Sequence, residues 1–226
     1  MDSLEDSPPG ARWSVLVYLL LFAVSMAYFE AAVVVYLREL FYPEGFAFPL
    51  RIIGRGDIIV EIGRELSTIV MLVVVARLAG RFFYERLALF LIIFGVWDIF
   101  FYGWLKFILG WPAGLLTWDI LFLVPLPWIG PVLSPVVVSL CMIVGAGLVL
   151  KRVWSGGVFA PNFREWAIAV GGAFLILLSY VVDLDAGRGF ALPGPYRWDM
   201  LIVGLAAGFY AVIRSLTRTR KKECTQ

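Results

Sequence analysis

The chain has no histidine and only two cysteines among its 226 residues. Without histidine there is no His-ligated haem, no di-iron site of the carboxylate–histidine type, no zinc hydrolase motif and no imidazole acid–base catalysis. Cys141 lies within an apolar stretch and Cys224 near the C-terminus, so we expect neither a disulfide nor a redox pair. The sequence also lacks a Walker A motif, a dinucleotide fingerprint and a nucleophile elbow. We therefore predict no haem, no zinc and no resident cofactor.

Charge is scarce as well. Only 16% of the residues are charged and 62% are hydrophobic, and the mean hydropathy is +0.90. This apolar share is well above the roughly 45–50% of a soluble domain. The apolar residues come in runs of the length that a helix needs to cross a bilayer, about 20 residues. We therefore predict an all-α fold, a polytopic helical protein surrounded by lipid.

Six apolar runs are long enough to be transmembrane spans, at residues 13–36, 58–79, 87–109, 132–150, 166–182 and 200–216. Residues 1–12 are then a short tail, 13–217 a single transmembrane domain and 218–226 a basic tail. The first span lacks the basic start and small-residue cleavage site of a signal peptide, so we expect it to be retained. The connections between spans leave no room for a soluble domain.

The basic residues predict the orientation. With six spans, the side that carries both termini has 12 Lys and Arg residues and the opposite side has 7. The positive-inside rule then places both termini in the cytoplasm, in a multi-pass protein of the cell (inner) membrane. The basic tail is more typical of contact with anionic lipid than of nucleic-acid binding.

The acidic residues are distributed in the opposite sense, with eleven of the seventeen in the outer half of the predicted bundle. Acidic residues contribute little to topology, so insertion does not explain this bias. A carboxylate at membrane depth costs several kcal/mol unless it is paired or hydrated, and it usually marks a site or a pathway. Seven residues are our candidates for binding a substrate or an ion: Glu30, Glu61, Arg64, Glu65, Asp98, Tyr102 and Asp119.

The start of the second span carries a stripe of these residues. Glu61, Arg64 and Glu65 fall within one arc of roughly 100° on a helix, which we expect to face the bundle interior. Glu30 of the first span is at a depth compatible with Arg64. The Glu30–Arg64 pair is either a structural bridge between two helices or part of a polar binding site.

Asp98 lies near the middle of the third span. Tyr102 and Lys106 follow it at i+4 and i+8 on the same helix face, giving an acid, a phenol and an amine in one line. Such a line can relay protons or coordinate a cation, or it can be a structural network that orients the helix. We expect the acidic side chains from separate helices to meet in one wet pocket below the outer face.

A further apolar segment, residues 113–131, is too short to cross a bilayer. Its prolines at 125, 127 and 131 exclude a continuous helix. We predict a re-entrant or interfacial segment, and the simpler alternative is an amphipathic helix in the outer leaflet anchored by tryptophans.

Three functions fit these features. The first is a small proton- or cation-coupled transporter, with Na⁺, Mg²⁺, Ca²⁺ or Mn²⁺ as the ions that carboxylate oxygens suit and a homodimer as the expected assembly. The second is a membrane enzyme acting on a lipid or lipid-linked headgroup at the outer leaflet. In that case a Glu or Asp would be the general base or hold Mg²⁺, and Arg64, or Arg51 and Arg55, would bind phosphate. The third is an accessory subunit of a membrane complex. We favour transport, because acids at successive depths flank a broken segment.

Overall fold

The computed structural model describes residues 9–46, 55–123, 126–182 and 193–218. Within these ranges the chain forms six helices and one two-stranded sheet. The helices are α1 (Pro9–Phe41), α2 (Arg55–Ala79), α3 (Phe83–Leu109), α4 (Leu133–Trp154), α5 (Phe163–Val181) and α6 (Trp198–Thr217). Each coincides with one of the six apolar runs to within a few residues. The predicted helical membrane architecture is confirmed in this coarse form.

Local sequence explains several of the helix ends. α5 begins with a capping box in which the Asn162 side chain accepts from the Glu165 amide at 2.9 Å, and the Glu165 carboxylate accepts from the Asn162 amide at 2.9 Å. α3 ends at Gly110, which has a φ of 67° and donates its amide to the Lys106 carbonyl. Only glycine adopts this left-handed conformation without strain, so the helix ends there.

Five of the six helices in the described ranges, all except α2, are long and apolar enough to cross a membrane. Charged residues interrupt the apolar composition of α2. Its buried residues nevertheless recur with helical spacing, at Glu65, Thr68, Leu72 and Ala76. The opposite face of α2 is apolar and exposed, as expected of a helix that packs against protein on one side and lipid on the other.

The helices form two packed groups. α3 contacts α1, α2 and α4, around a core that includes Ala23, Leu72 and Ile93. α5 and α6 pack against each other along their length, and α6 joins this pair to α4. α5 and α6 approach each other closely at Gly172 and Gly204, where a Cβ added to either glycine would lie 2.6 Å from the carbonyl oxygen of the other. Glycine at these two positions permits the close approach.

Residues 113–131 contain an antiparallel hairpin of β1 (Trp118–Phe122) and β2 (Trp128–Pro131), with Asp119 opposite Gly130. The amphipathic-helix alternative is therefore wrong, because proline removes backbone donors that a helix needs but is tolerated at the edge of a two-stranded sheet. A re-entrant or interfacial position of this segment stays a prediction. We call the end of the bundle that carries β1 and β2 the hairpin end, and the opposite end the terminal end.

Candidate functional site

A network of polar side chains joins α1 to α2 near the hairpin end. Arg64 forms ion pairs with Glu30 of α1 and with Glu61 one turn earlier on α2, where Nε lies 3.0 Å and Nη2 lies 2.5 Å from the Glu61 carboxylate oxygens. Thr68 also donates its hydroxyl to Glu30. Glu30 is only 1% exposed, so its carboxylate is satisfied by protein groups rather than by water. The structural-bridge interpretation of Glu30 and Arg64 agrees with this geometry.

Glu65 connects α2 to the hairpin. Its carboxylate oxygens accept the backbone amide of Leu123, which follows β1, at 2.9 and 3.1 Å. Glu65 is 5% exposed, so this is a buried, charge-assisted contact. The contact between Glu65 and Leu123 anchors the hairpin to the side of the bundle.

A second ion pair holds the hairpin to α1 and α3. Arg38, at the end of α1, donates to Asp119 of β1 at 3.1 Å, and the Tyr102 hydroxyl donates to the other Asp119 oxygen at 3.4 Å. The Arg38 guanidinium lies 3.6 Å from the ring centre of Trp111 and 4.6 Å from that of Phe46. Burial raises the pKa of Asp119 to about 6, and the positive charge of Arg38 opposes that rise.

Asp98 stands apart from both networks. The Ser139 hydroxyl of α4 donates to it at 2.8 Å, and no Lys or Arg in the described part of the chain forms an ion pair with it. Tyr102 donates to Asp119 instead, and Lys106 donates to the carbonyls of the 110–112 turn at 2.9 Å. Tyr102 and Lys106 therefore donate to the hairpin and to the end of α3 rather than to Asp98, and a proton relay along the acid–phenol–amine line stays a prediction.

Asp98 faces a cavity of about 550 Å³ between the α3–α4 pair and the α5–α6 pair. The cavity is lined mostly by apolar side chains. Its volume is in the size range of small-molecule binding sites. Tyr180 and Glu165 both line it and lie fifteen residues apart on α5, so it extends roughly 22 Å along the bundle. Asp98 and Ser139 are nearer its hairpin end, and Glu165 and Ser215 are at its terminal end.

The two ends of the cavity differ in charge. Glu165 accepts from Arg218 at 2.6 Å and from Ser215 at 2.8 Å, besides its capping contact with Asn162. Its charge is therefore compensated, whereas that of Asp98 is not. At the hairpin end Trp128 stacks on Tyr180 with ring centres 6.2 Å apart and planes at 5°.

The seven candidate residues thus do not meet in one wet pocket, and that expectation is wrong. Six of them enter the two ion-pair networks or the hairpin contact, and Asp98 alone lines the cavity. That any of them binds a substrate or an ion stays a prediction. No three acidic or cysteine side chains in the described ranges come together in a way that would hold a metal ion. Arg51, one of the predicted phosphate ligands, lies outside the described residues.

Sequence reasoning missed Arg38, Ser139 and Glu165. The partners of Arg38 and Ser139 lie 81 and 41 residues away in the chain, so no local pattern indicates the pairing. The sequence did contain one signal for the contact with Ser139, which is Gly95. In the structure a Cβ added to Gly95 would lie 2.8 Å from the Ser139 carbonyl oxygen. A glycine one turn before an intramembrane acid marks a close helix approach, and α4 meets α3 at this point.

A scan against protein-family models, a search of curated proteins and a search of solved structures found no match to this chain.

Proposed function

We propose that the protein is a proton- or cation-coupled transporter in which Asp98 binds the coupling ion and the adjoining cavity holds the substrate. The observation that supports this is a single carboxylate, without an ion-pair partner in the described ranges, on the wall of an apolar cavity of about 550 Å³. Among the other buried acids near the hairpin end, Glu30 and Asp119 each pair with an arginine, and Glu65 accepts a backbone amide of the hairpin.

The energetics of an isolated acid support an exchange mechanism. An ionised carboxylate inside an apolar bundle costs several kcal/mol unless a counter-charge or water compensates it. Asp98 relieves that cost in one of two ways, by taking up a proton or by binding a cation. A group that is neutral in one form and cation-bound in the other links the movement of the two species across the membrane, because both compete for the same oxygens.

The remaining candidates have positioning roles in this proposal. Glu30, Glu61 and Arg64 hold α2 against α1, while Glu65 and Asp119 hold the hairpin. We further propose that α2 is the sixth span, since its charged face is neutralised by these contacts and its other face is apolar. With six spans and the basic bias toward the termini, we propose a multi-pass protein of the cell (inner) membrane with both termini in the cytoplasm.

The test is dissipation of a pH gradient by proteoliposomes that contain the full chain. The liposomes are loaded with an acidic buffer and a pH-sensitive dye, and sodium, potassium, magnesium, calcium or organic ammonium salts are added outside in turn. At least one salt is expected to drive proton efflux faster than from protein-free liposomes. Asp98→Asn, which retains an oxygen for the Ser139 hydrogen bond, is expected to reduce that efflux to the protein-free level.

The matched control is Asp57→Asn, since Asp57 is an exposed acid on α2. It should keep the wild-type rate. If none of the salts elicits proton efflux, coupled transport is refuted. If the Asp98→Asn protein folds and gives the wild-type efflux, coupling at Asp98 is refuted.

A further inference from the structure

We infer that the cavity beside Asp98 selects an amphiphile with one long hydrocarbon chain and a head group that carries a positively charged nitrogen and no phosphate. This inference rests on the proposed function, since it names the substrate class of the same site. Three features of the cavity wall carry it: its charge, its aromatic end and its length.

The charge of the wall favours a cation. Among the described residues that line the cavity there are two carboxylates and no Lys or Arg. Arg218 compensates Glu165 from beside the cavity, so the Asp98 charge is the one left for a ligand. An anionic head group would meet this carboxylate without any cationic side chain on the wall, and a phosphate diester would find no guanidinium or ammonium ligand.

Aromatic rings surround the end of the cavity that holds Asp98. Trp97, Phe122, Trp128 and Tyr180 all line it there. The face of an aromatic ring attracts an ammonium group, and rings beside a carboxylate form the kind of cage that recognises quaternary nitrogen.

The length and lining of the rest of the cavity fit a hydrocarbon chain. Between its two polar ends the wall is apolar and includes several small residues, among them Gly145, Ala146, Ala173 and Gly208. A Cβ built on Gly145 or on Gly208 would have no neighbour within 4 Å, so glycine keeps this space open. A hydrocarbon chain lying along the roughly 22 Å between the levels of Tyr180 and Glu165 would replace lipid contacts with protein contacts of the same polarity. Selectivity then comes from the head group.

The experiment is equilibrium binding of radiolabelled hexadecyltrimethylammonium to nanodiscs that contain the full chain, measured against empty nanodiscs. The competitors share the same chain and differ in the head group: hexadecanol, hexadecyl sulfate and hexadecylphosphocholine. We expect saturable binding of the cation, weaker competition by the alcohol, and the weakest competition by the sulfate and the phosphocholine.

Three variants make the test specific to this site. Asp98→Asn should weaken binding of the cationic probe by at least about 30-fold, the effect of removing one partner of a buried charge pair. Its affinity for hexadecanol should stay within about twofold of the wild type, since the alcohol makes no charge pair. Gly145→Leu fills the cavity and should abolish saturable binding, whereas Gly147→Leu, on the same helix but off the cavity wall, should not.

Equal binding by the wild type and Asp98→Asn, or equal competition by the sulfate and the cation, would overturn the inference. The outcome is separable from that of the transport assay because binding is measured without a gradient. Specific binding with no proton efflux would refute the proposed function and leave the ligand class standing. Proton efflux driven by inorganic salts, together with equal binding of the four head groups, would support the proposed function and refute the ligand class.

Discussion

Replacement of Arg64 by methionine should destabilise the protein far more than a double replacement that also removes Glu30. The Glu30 carboxylate is 1% exposed and has two protein partners, the Arg64 guanidinium and the Thr68 hydroxyl. Arg64→Met leaves a buried carboxylate with the hydroxyl alone. Breaking a buried pair in this way typically costs about 3–5 kcal/mol.

The double variant Glu30→Leu/Arg64→Met removes the charge together with its partner. Apolar residues in place of a buried ion pair are usually neutral or stabilising, so we expect its free energy of unfolding to lie within about 1 kcal/mol of the wild type. Glu61 also loses Arg64 in both variants, but its side chain is 19% exposed and water can solvate it. The difference between single and double variants therefore reports on Glu30.

Reversible unfolding in mixed detergent micelles, followed by circular dichroism, measures both free energies. Equal values for the two variants, or a single-variant cost below about 1 kcal/mol, would show that Arg64 does not neutralise Glu30. The folded double variant should also keep the proton efflux of the wild type. If it loses that efflux while Asp98→Asn retains it, the transport site lies between α1 and α2 rather than in the cavity.

Two further predictions concern the hairpin and the α5–α6 contact. Since the pKa of Asp119 is about 6 in the folded protein and near 3.9 in an unfolded chain, the free energy of unfolding should fall as the pH rises from about 4 to about 6. Asp119→Asn should flatten that part of the stability–pH curve, and an unchanged slope would contradict the assignment. Gly204→Ala places a Cβ 2.6 Å from the Gly172 carbonyl oxygen and should cost about 1–3 kcal/mol in thermal unfolding. Gly171→Ala meets no neighbour within 4 Å, so a similar loss there would argue against close packing as the cause.

The helices could be predicted from the sequence because the bilayer fixes their length. A run of apolar residues that must satisfy its own backbone in hydrocarbon has one solution, a helix of about 20 residues. The ends were less predictable, since α1 and α4 continue through polar residues beyond the apolar run. The hairpin was not predicted, because a short apolar run with prolines fits several structures, and the contacts that hold this hairpin, such as Arg38 to Asp119, involve residues far from the run in sequence.

Some of the polar contacts could likewise be predicted from the sequence and others could not. Glu30 and Arg64 sit on consecutive helices at matching depth, so their pairing was one of two interpretations available from the sequence alone. Arg38 and Asp119 pair across 81 residues because the hairpin folds back over the end of α1, which no helical period indicates. Tyr102 lies one turn from Asp98 and still bonds Asp119, since the choice of acceptor depends on the tertiary structure.

The contacts of the buried acids also separate structural roles from a ligand role. Glu65 and Asp119 hold the hairpin, whose Phe122 and Trp128 form part of the cavity wall. Their charges strengthen bonds to an amide and a guanidinium, and a neutral side chain would weaken both. Asp98 is different, because in the described part of the chain its hydrogen bond comes from a single neutral donor, the Ser139 hydroxyl. The charge strengthens that bond, but one hydroxyl does not offset the desolvation cost of a carboxylate at membrane depth. A cationic ligand or a proton in the cavity is the partner that offsets it.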